Sequence, residues 1–178
     1  MKLPITSIWI TGLSSSGKTT LAIKLVQELR VHGVPCVLLD GNEVRDIFDK
    51  KLGYDERSRK LQTNRVQNLA RWITRNKILP VVSIINPFEE DREKYRRERS
   101  GYFEIFLECD IKTLCTRDNK NLYAPALRGE KKNVVGIDID FETPRTPDLS
   151  LDTAKLDANE AFDKAWVQIA SRISENRI

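Results

Sequence analysis

The run Gly12-Leu13-Ser14-Ser15-Ser16-Gly17-Lys18-Thr19 fits the pattern G-x-x-x-x-G-K-[ST], a spacing suited to binding a nucleoside triphosphate. The glycines let the backbone wrap so that successive N–H groups face phosphate oxygens, and a helix opening at the end of the loop adds partial positive charge. A lysine at this point reaches the β- and γ-phosphates, and the neighbouring hydroxyl ligates Mg²⁺. Gly12, Ser14, Ser15, Ser16, Gly17, Lys18, Thr19 and Thr20 are therefore the candidate nucleotide-binding residues, with Thr19 also a metal ligand. The competing reading is a Gly/Ser-rich turn without a ligand. The apolar Ile8-Trp9-Ile10 before the loop and the amphipathic stretch after it make a strand–loop–helix unit, which favours the phosphate site.

The elements that must hold this loop are legible as periodicity. Short apolar, β-rich runs occur at Ile8–Thr11, Val34–Leu39, Pro80–Ile85, Tyr102–Cys109 and Asp148–Leu151. Helical spacing separates them: Leu21, Leu25 and Leu29 after Lys18; Leu61, Val66, Leu69 and Ile73 between about Glu56 and Lys77; Ala161, Phe162, Ala165, Trp166, Ile169 and Ile173 near the end. This alternation predicts a three-layer α/β/α fold with a five-stranded parallel sheet. Residues 1–178 read as one domain, since ~100–200 residues is an ordinary domain length. The polar stretch Arg117–Thr146 has little periodicity and reads as a mobile lid, the usual role of so long a loop in a compact domain.

Composition narrows the function. The charge is +4, with 40% hydrophobic and 31% charged residues, as in a globular protein. No apolar run approaches the ~20 residues that span a bilayer, and Met1–Pro4 lacks a signal-peptide core, so no membrane association is expected and the cytosol is the expected compartment. The densest charge run, Glu89–Arg99, alternates both signs and reads as a solvated helix face. A basic groove interleaved with aromatics is missing, so no nucleic acid is expected and a small anionic nucleotide suits the composition better. Cys36, Cys109 and Cys115 read as free thiols. One histidine, His32, and no Cys-x-x-Cys argue against zinc and against a Ser/His/Asp hydrolase. The base-reading Asn-Lys-x-Asp of GTPases has its nearest string at Asn119-Lys120-Asn121-Leu122, without the Asp, and the length is short for a motor or transporter ATPase. A small kinase remains.

From Asp40 onward the chain resembles the adenylylsulfate (APS) kinase family across nearly its whole length. The family's Asp-Gly-Asp-Asn-x-Arg is here Asp40-Gly41-Asn42-Glu43-Val44-Arg45; Leu-Gly-Phe is Leu52-Gly53-Tyr54, leading to Arg59 and Arg65. Ile-Ser-Pro-Tyr-Arg-x-Asp-Arg is Ile85-Asn86-Pro87-Phe88-Glu89-Glu90-Asp91-Arg92, and Arg-Asp-x-Lys-x-Leu-Tyr is Arg117–Tyr123. Gly-Glu-x-Lys-Asn-Phe-Thr-Gly-Ile-Asp is Gly129–Asp138, and Leu-Asp-Thr is Leu151-Asp152-Thr153. The resemblance implies transfer of the ATP γ-phosphoryl group to a ribose 3′-hydroxyl, with ATP and Mg²⁺ required and a homodimer as the assembly. It implies Lys18, Asp40 and Arg45 as catalytic residues and Asp40 with Thr19 at the metal. Arg117, Lys120 and Thr153 join the ATP-side set. The implied acceptor side is Asn42, Glu43, Arg45, Tyr54, Arg59, Arg65, Asn86, Pro87, Lys132, Val134, Gly136 and Ile137. Residue by residue there is a plainer alternative: Asp40-Gly41 as a turn pair, the arginines as solvated charges, Arg117 and Lys120 as a loop tip.

The departures gather on the acceptor side. Asn42 replaces a carboxylate that could orient the hydroxyl proton, and an amide only hydrogen-bonds. Glu43 is next to it but points elsewhere on a helix. Asn86 replaces a serine, Glu89 and Glu90 replace basic residues, Asn64 replaces an arginine, and Val134 replaces a phenylalanine that stacks on the acceptor adenine in the family. Three readings follow: an APS 3′-kinase; the same chemistry on another nucleotide, with cytidine diphosphoramidate of bacterial capsule biosynthesis as the named candidate; and a non-catalytic nucleotide-binding module.

Overall fold

The computed structural model describes residues 4–173. Strand β1 (Ser7–Gly12) leads through the glycine loop into helix α1 (Lys18–Val31), then β2 (Cys36–Asp40), α2 (Gly41–Ile47) and α3 (Glu56–Arg75). Next come β3 (Leu79–Ser83), α4 (Glu89–Glu98), β4 (Tyr102–Glu108), α5 (Ile111–Thr116), α6 (Tyr123–Leu127), β5 (Leu149–Asp152) and α7 (Ala158–Ile173). The sheet order is β2-β3-β1-β4-β5, and every pairing is parallel. All five strand expectations hold, with ends moved by one or two residues.

Alternation along β1 builds both layers. Ile8 and Ile10 point to one face and meet Leu21, Leu25 and Leu29 of α1 and Ala161, Ala165 and Ile169 of α7. Trp9 points to the other and meets Val66, Ala70 and Ile73 of α3, Tyr95 of α4 and Tyr102 of β4. This is the period of two that a strand buried on both faces requires. The Trp9 indole donates to Ser7 Oγ at 3.1 Å, so its polar end is paired inside the core. No helix among the described residues is long and apolar enough to cross a membrane.

Two expectations need correction. The stretch from Arg117 to Thr146 is not wholly irregular: it contains α6, whose Tyr123 is fully buried with Leu114, Ala126 and Val134 in a small core of its own. Nor is Glu89–Arg99 a solvated face throughout. Arg92 is buried, ion-paired to Glu89 at 2.5 Å and 3.6 Å from Glu104 of β4. Its guanidinium also donates to the carbonyls of Asn86 and Glu142. Glu89 in turn accepts from the Arg145 amide at 3.1 Å, and the Glu89 amide donates to Glu142 Oε2 at 2.7 Å. A buried charge survives only when paired on every side, and the carboxylate that completes this one comes from β4, the element that follows α4. Burial holds the Glu104 carboxyl above the ordinary range, against the pull of Arg92 and Arg96. Replacing Arg92 by Met is expected to leave Glu89 and Glu104 uncompensated and to destabilise the fold by ~3–5 kcal/mol, read from urea unfolding midpoints. The double variant Arg92→Met with Glu104→Gln should recover part of that loss.

Candidate active site

Ligands of open parallel sheets bind beyond the carboxyl ends of the strands, and here the ends of β1, β2 and β3 open into a cleft of about 350 Å³. Its floor is the glycine loop. Gly12 has φ 141°, and a Cβ there would lie 2.5 Å from the Leu107 carbonyl oxygen, so β1 can turn into the loop against β4 only with glycine. Gly17 caps α1 in the left-handed region at φ 94°, with Ser15 at φ 62°. Ser14, Ser15, Gly17, Lys18, Thr19 and Thr20 line the cleft, while Gly12 and the buried Ser16 do not.

At the floor three elements meet. Thr19 Oγ1 donates to Asp40 Oδ2 at 2.7 Å, and Ser83 Oγ at the end of β3 donates to the same oxygen at 3.3 Å. Asp40 Oδ1 accepts from the Asn42 amide at 2.9 Å and so caps α2. This set of hard oxygens, one carboxylate and two hydroxyls, could hold Mg²⁺, an ion that takes few protein ligands and completes its shell with water and phosphate. Among the described residues no group of three or more His, Cys, Asp or Glu offers another metal site. Lys18 is buried, and its Nζ donates to the Leu13 carbonyl at 2.5 Å. Burial lowers its pKa from 10.5 to about 7; Asp40 opposes that fall and Lys120 adds to it.

The segment after α5, where the sequence suggests a lid, brings Arg117, Asn119 and Lys120 to the cleft. Arg117 Nη1 donates to the Thr153 carbonyl at 2.8 Å, so Thr153 acts behind the cleft wall as a prop for Arg117. Asp118 accepts from the amides of Leu122 and Tyr123 at 2.6 and 2.7 Å, and the Tyr123 hydroxyl donates to the Ser14 carbonyl at 2.9 Å. Helix α6 is thereby tied to the glycine loop itself.

The opposite wall carries Asn42, Arg45, Tyr54, Arg59, Asn86 and Pro87 together. Arg45 lies 4.5 Å from the centre of the Tyr54 ring and donates to the Leu52 and Gly53 carbonyls; Arg59 lies 5.6 Å from the same ring. Arg59 also donates to the carbonyls of Tyr54 at 2.7 Å and Asn133 at 2.8 Å, joining α3 to the lid. Burial holds the Arg45 and Arg59 guanidiniums below their usual pKa.

Several other candidates lie outside the cleft. Arg65 covers the Phe48 ring at 4.3 Å and donates to the Lys50 carbonyl, bracing the loop between α2 and α3. Glu43 and Lys132 are exposed. Val134 is 5% exposed inside the lid core, Ile137 packs against that core, and Gly136 packs on Leu13. Ser83, Gln62, Thr63 and Asn119 line the cleft without having been singled out in the sequence. The signal for Gln62 and Thr63 was polar residues on the Val66–Ala70–Ile73 side of α3; for Ser83 it was a hydroxyl at the end of an apolar strand.

Five cations and one carboxylate line the cleft: Lys18, Arg45, Arg59, Arg117 and Lys120 against Asp40. The strand order, the all-parallel pairing and the glycine loop are those of a P-loop kinase fold, and its cleft is strongly positive. Residues 5–152 match the family described as adenylylsulphate kinase, and the chain belongs to that family. A probable adenylyl-sulfate kinase of Archaeoglobus fulgidus is 40% identical over 150 residues, covering 84% of this chain and 97% of that protein. One of Pyrococcus abyssi is 35% identical over 154 residues, covering 86% and 88%. The Mycobacterium tuberculosis APS kinase solved with AMPPNP and APS superposes with a TM-score of 0.85 at 27% identity, over 96% of this chain and 99% of that one.

The lysine pKa has a measurable consequence. Unfolded, Lys18 keeps its proton to about 10.5; folded, it gives it up near 7, so the buried charge costs stability below pH 7 and the cost is relieved as pH rises between those values. A bound polyphosphate restores the charge. ADP binding is expected to take up close to one proton at pH 8 and little at pH 6, read from calorimetric heats in buffers of different ionisation enthalpy. Lys18→Met should abolish the uptake and lower affinity.

Proposed function

We propose that the protein transfers the γ-phosphoryl group of ATP to the ribose 3′-hydroxyl of a nucleotide with an anionic 5′ substituent, and that adenylylsulfate is the acceptor, giving ADP and 3′-phosphoadenylylsulfate. The observation that carries this is the two-ended cleft. Lys18, Arg117 and Lys120 crowd the glycine-loop end, and Arg45 and Arg59 flank an aromatic ring at the other. Such a site holds two anions with a sugar between them. Tyr54 is 56% exposed and offers a flat face for a base. The related APS kinases support the choice of acceptor.

In the transfer the bond between the γ-phosphorus and its bridging oxygen breaks, and one forms to the 3′-oxygen. The charge stays on the γ oxygens, so positioning and cations do most of the work. Lys18 holds the β,γ end, and Arg117 and Lys120 approach from the lid. Mg²⁺, when bound at Thr19 and Asp40, would neutralise charge between the phosphates. Among the described residues the cleft has no carboxylate besides Asp40, and Asn42 orients the hydroxyl only by hydrogen bonding. The 3′-proton therefore leaves late, to water or to the transferred phosphoryl group, as a loose transition state permits.

A second reading keeps the chemistry and changes the acceptor to cytidine diphosphoramidate. One observation favours it: Val134 is recessed in the lid core, so the acceptor base meets Tyr54 on one side without an aromatic from that position on the other. A non-catalytic nucleotide-binding module is the third.

Coupled ADP release with MgATP, comparing both acceptors at equal low concentration, separates the three readings. Fast turnover with adenylylsulfate supports the first, turnover with the cytidine compound alone the second, and none the third. Asp40→Asn is expected to lower kcat roughly 10²–10³-fold with whichever acceptor works. Val134→Phe forces volume into the lid core and should cost ~1–3 kcal/mol, seen as a lower Tm.

A further inference from the structure

Gln62 on α3 and Asn86 after β3 share the acceptor wall of the cleft and are 6% and 3% exposed. Both ends of both amides are unpaired: Nε2 and Oε1 of Gln62, Nδ2 and Oδ1 of Asn86. No other carboxamide among the described residues is buried in this condition. Gln67, five residues along the same helix, shows the ordinary solution, its Nε2 donating to the Asp91 carbonyl at 2.9 Å. Buried amides without partners weaken a fold, so two of them lining one ligand cleft point to a ligand that satisfies them.

Their chemistry restricts that ligand. A carboxamide presents N–H donors and a carbonyl acceptor side by side. A sulfate or phosphate group offers only acceptors and would leave both carbonyls facing oxygens. Arg45 and Arg59, which carry donors alone, already suit the oxyanion on this side of the cleft. We propose that Gln62 and Asn86 together hold a neutral, amine-bearing edge of the acceptor, an N–H donor beside an acceptor atom, and so select which nucleotide is phosphorylated. The proposal rests on the nucleotide 3′-kinase reading. Two parts of an acceptor carry such an edge: the exocyclic amine of adenine or cytosine beside its ring nitrogen, a pairing that Asn and Gln make with adenine in DNA, and the nitrogen of a phosphoramidate tail.

The test is kcat/KM with MgATP for adenylylsulfate, its inosine counterpart, cytidine diphosphoramidate, its uridine counterpart and cytidine diphosphate, in the wild type, Gln62→Met and Asn86→Ala. Replacing the amine by oxygen should lower wild-type kcat/KM roughly tenfold to a hundredfold. Gln62→Met should shrink that ratio to below about threefold while KM for ATP stays unchanged. Because it removes an unpaired amide, Gln62→Met should also keep or raise Tm, which separates lost selectivity from unfolding. If the ratio follows the base pairs, the edge is the nucleobase; if it follows phosphoramidate against phosphate, the edge is the tail; both support the proposal. An amine ratio near one in the wild type, or one untouched in both variants, overturns it while leaving the kinase reading intact. No turnover with any acceptor overturns the kinase reading and this proposal with it.

Discussion

The hydrogen bond from Thr19 to Asp40 joins the first turn of α1 to the end of β2, and Ser83 brings in the end of β3. It holds the one carboxylate that lines the cleft among the described residues against the hydroxyls that could share a metal ion with it. Everything else in the cleft is a response to charge. Lys18 is buried beside that carboxylate, and four further cations approach from α2, α3 and the segment after α5. Such an excess of positive charge in a folded protein is tolerable where an anion is to be bound, so the stability of the site and its ligand chemistry are one problem.

A second buried charge organises the far side. Arg92 fastens α4 to β4 through Glu104, and with Glu89 it holds the end of the lid segment near Glu142 and Arg145. The same guanidinium donates to the Asn86 carbonyl. The backbone that presents Asn86 to the cleft and the backbone that ends the lid therefore share one fastening. Glu89, standing where the family carries a basic residue, gives Arg92 a counter-charge on its own helix beside Glu104 of β4.

Much of the fold was legible because burial on both faces imposes simple patterns. Five apolar runs became the five strands, and the Leu21–Leu25–Leu29 stripe became the buried face of α1. The glycine loop was legible because backbone conformation restricts its residues, as Gly12 shows against Leu107. The lid was harder. Its short helix α6 is stabilised by Asp118 accepting from two amides and by Tyr123 reaching Ser14, contacts without periodicity to announce them. Arg92 was misread for a related reason: a charge run looks solvated until the following strand folds its carboxylate, Glu104, back beside it.

The sequence by itself determined that a phosphate loop precedes an amphipathic helix, that strands and helices alternate, and that the chain resembles one kinase family. These depend on near neighbours and on residue types, which order along the chain records. The tertiary structure decided which polar residues meet. It put Thr19, Asp40 and Ser83 on one oxygen cluster, left Arg65 and Val134 out of the cleft lining, and brought Gln62 and Asn86 to one cleft. Such pairings depend on how α3 crosses β3 and where the lid folds back, and no local pattern encodes a crossing between segments far apart in the chain.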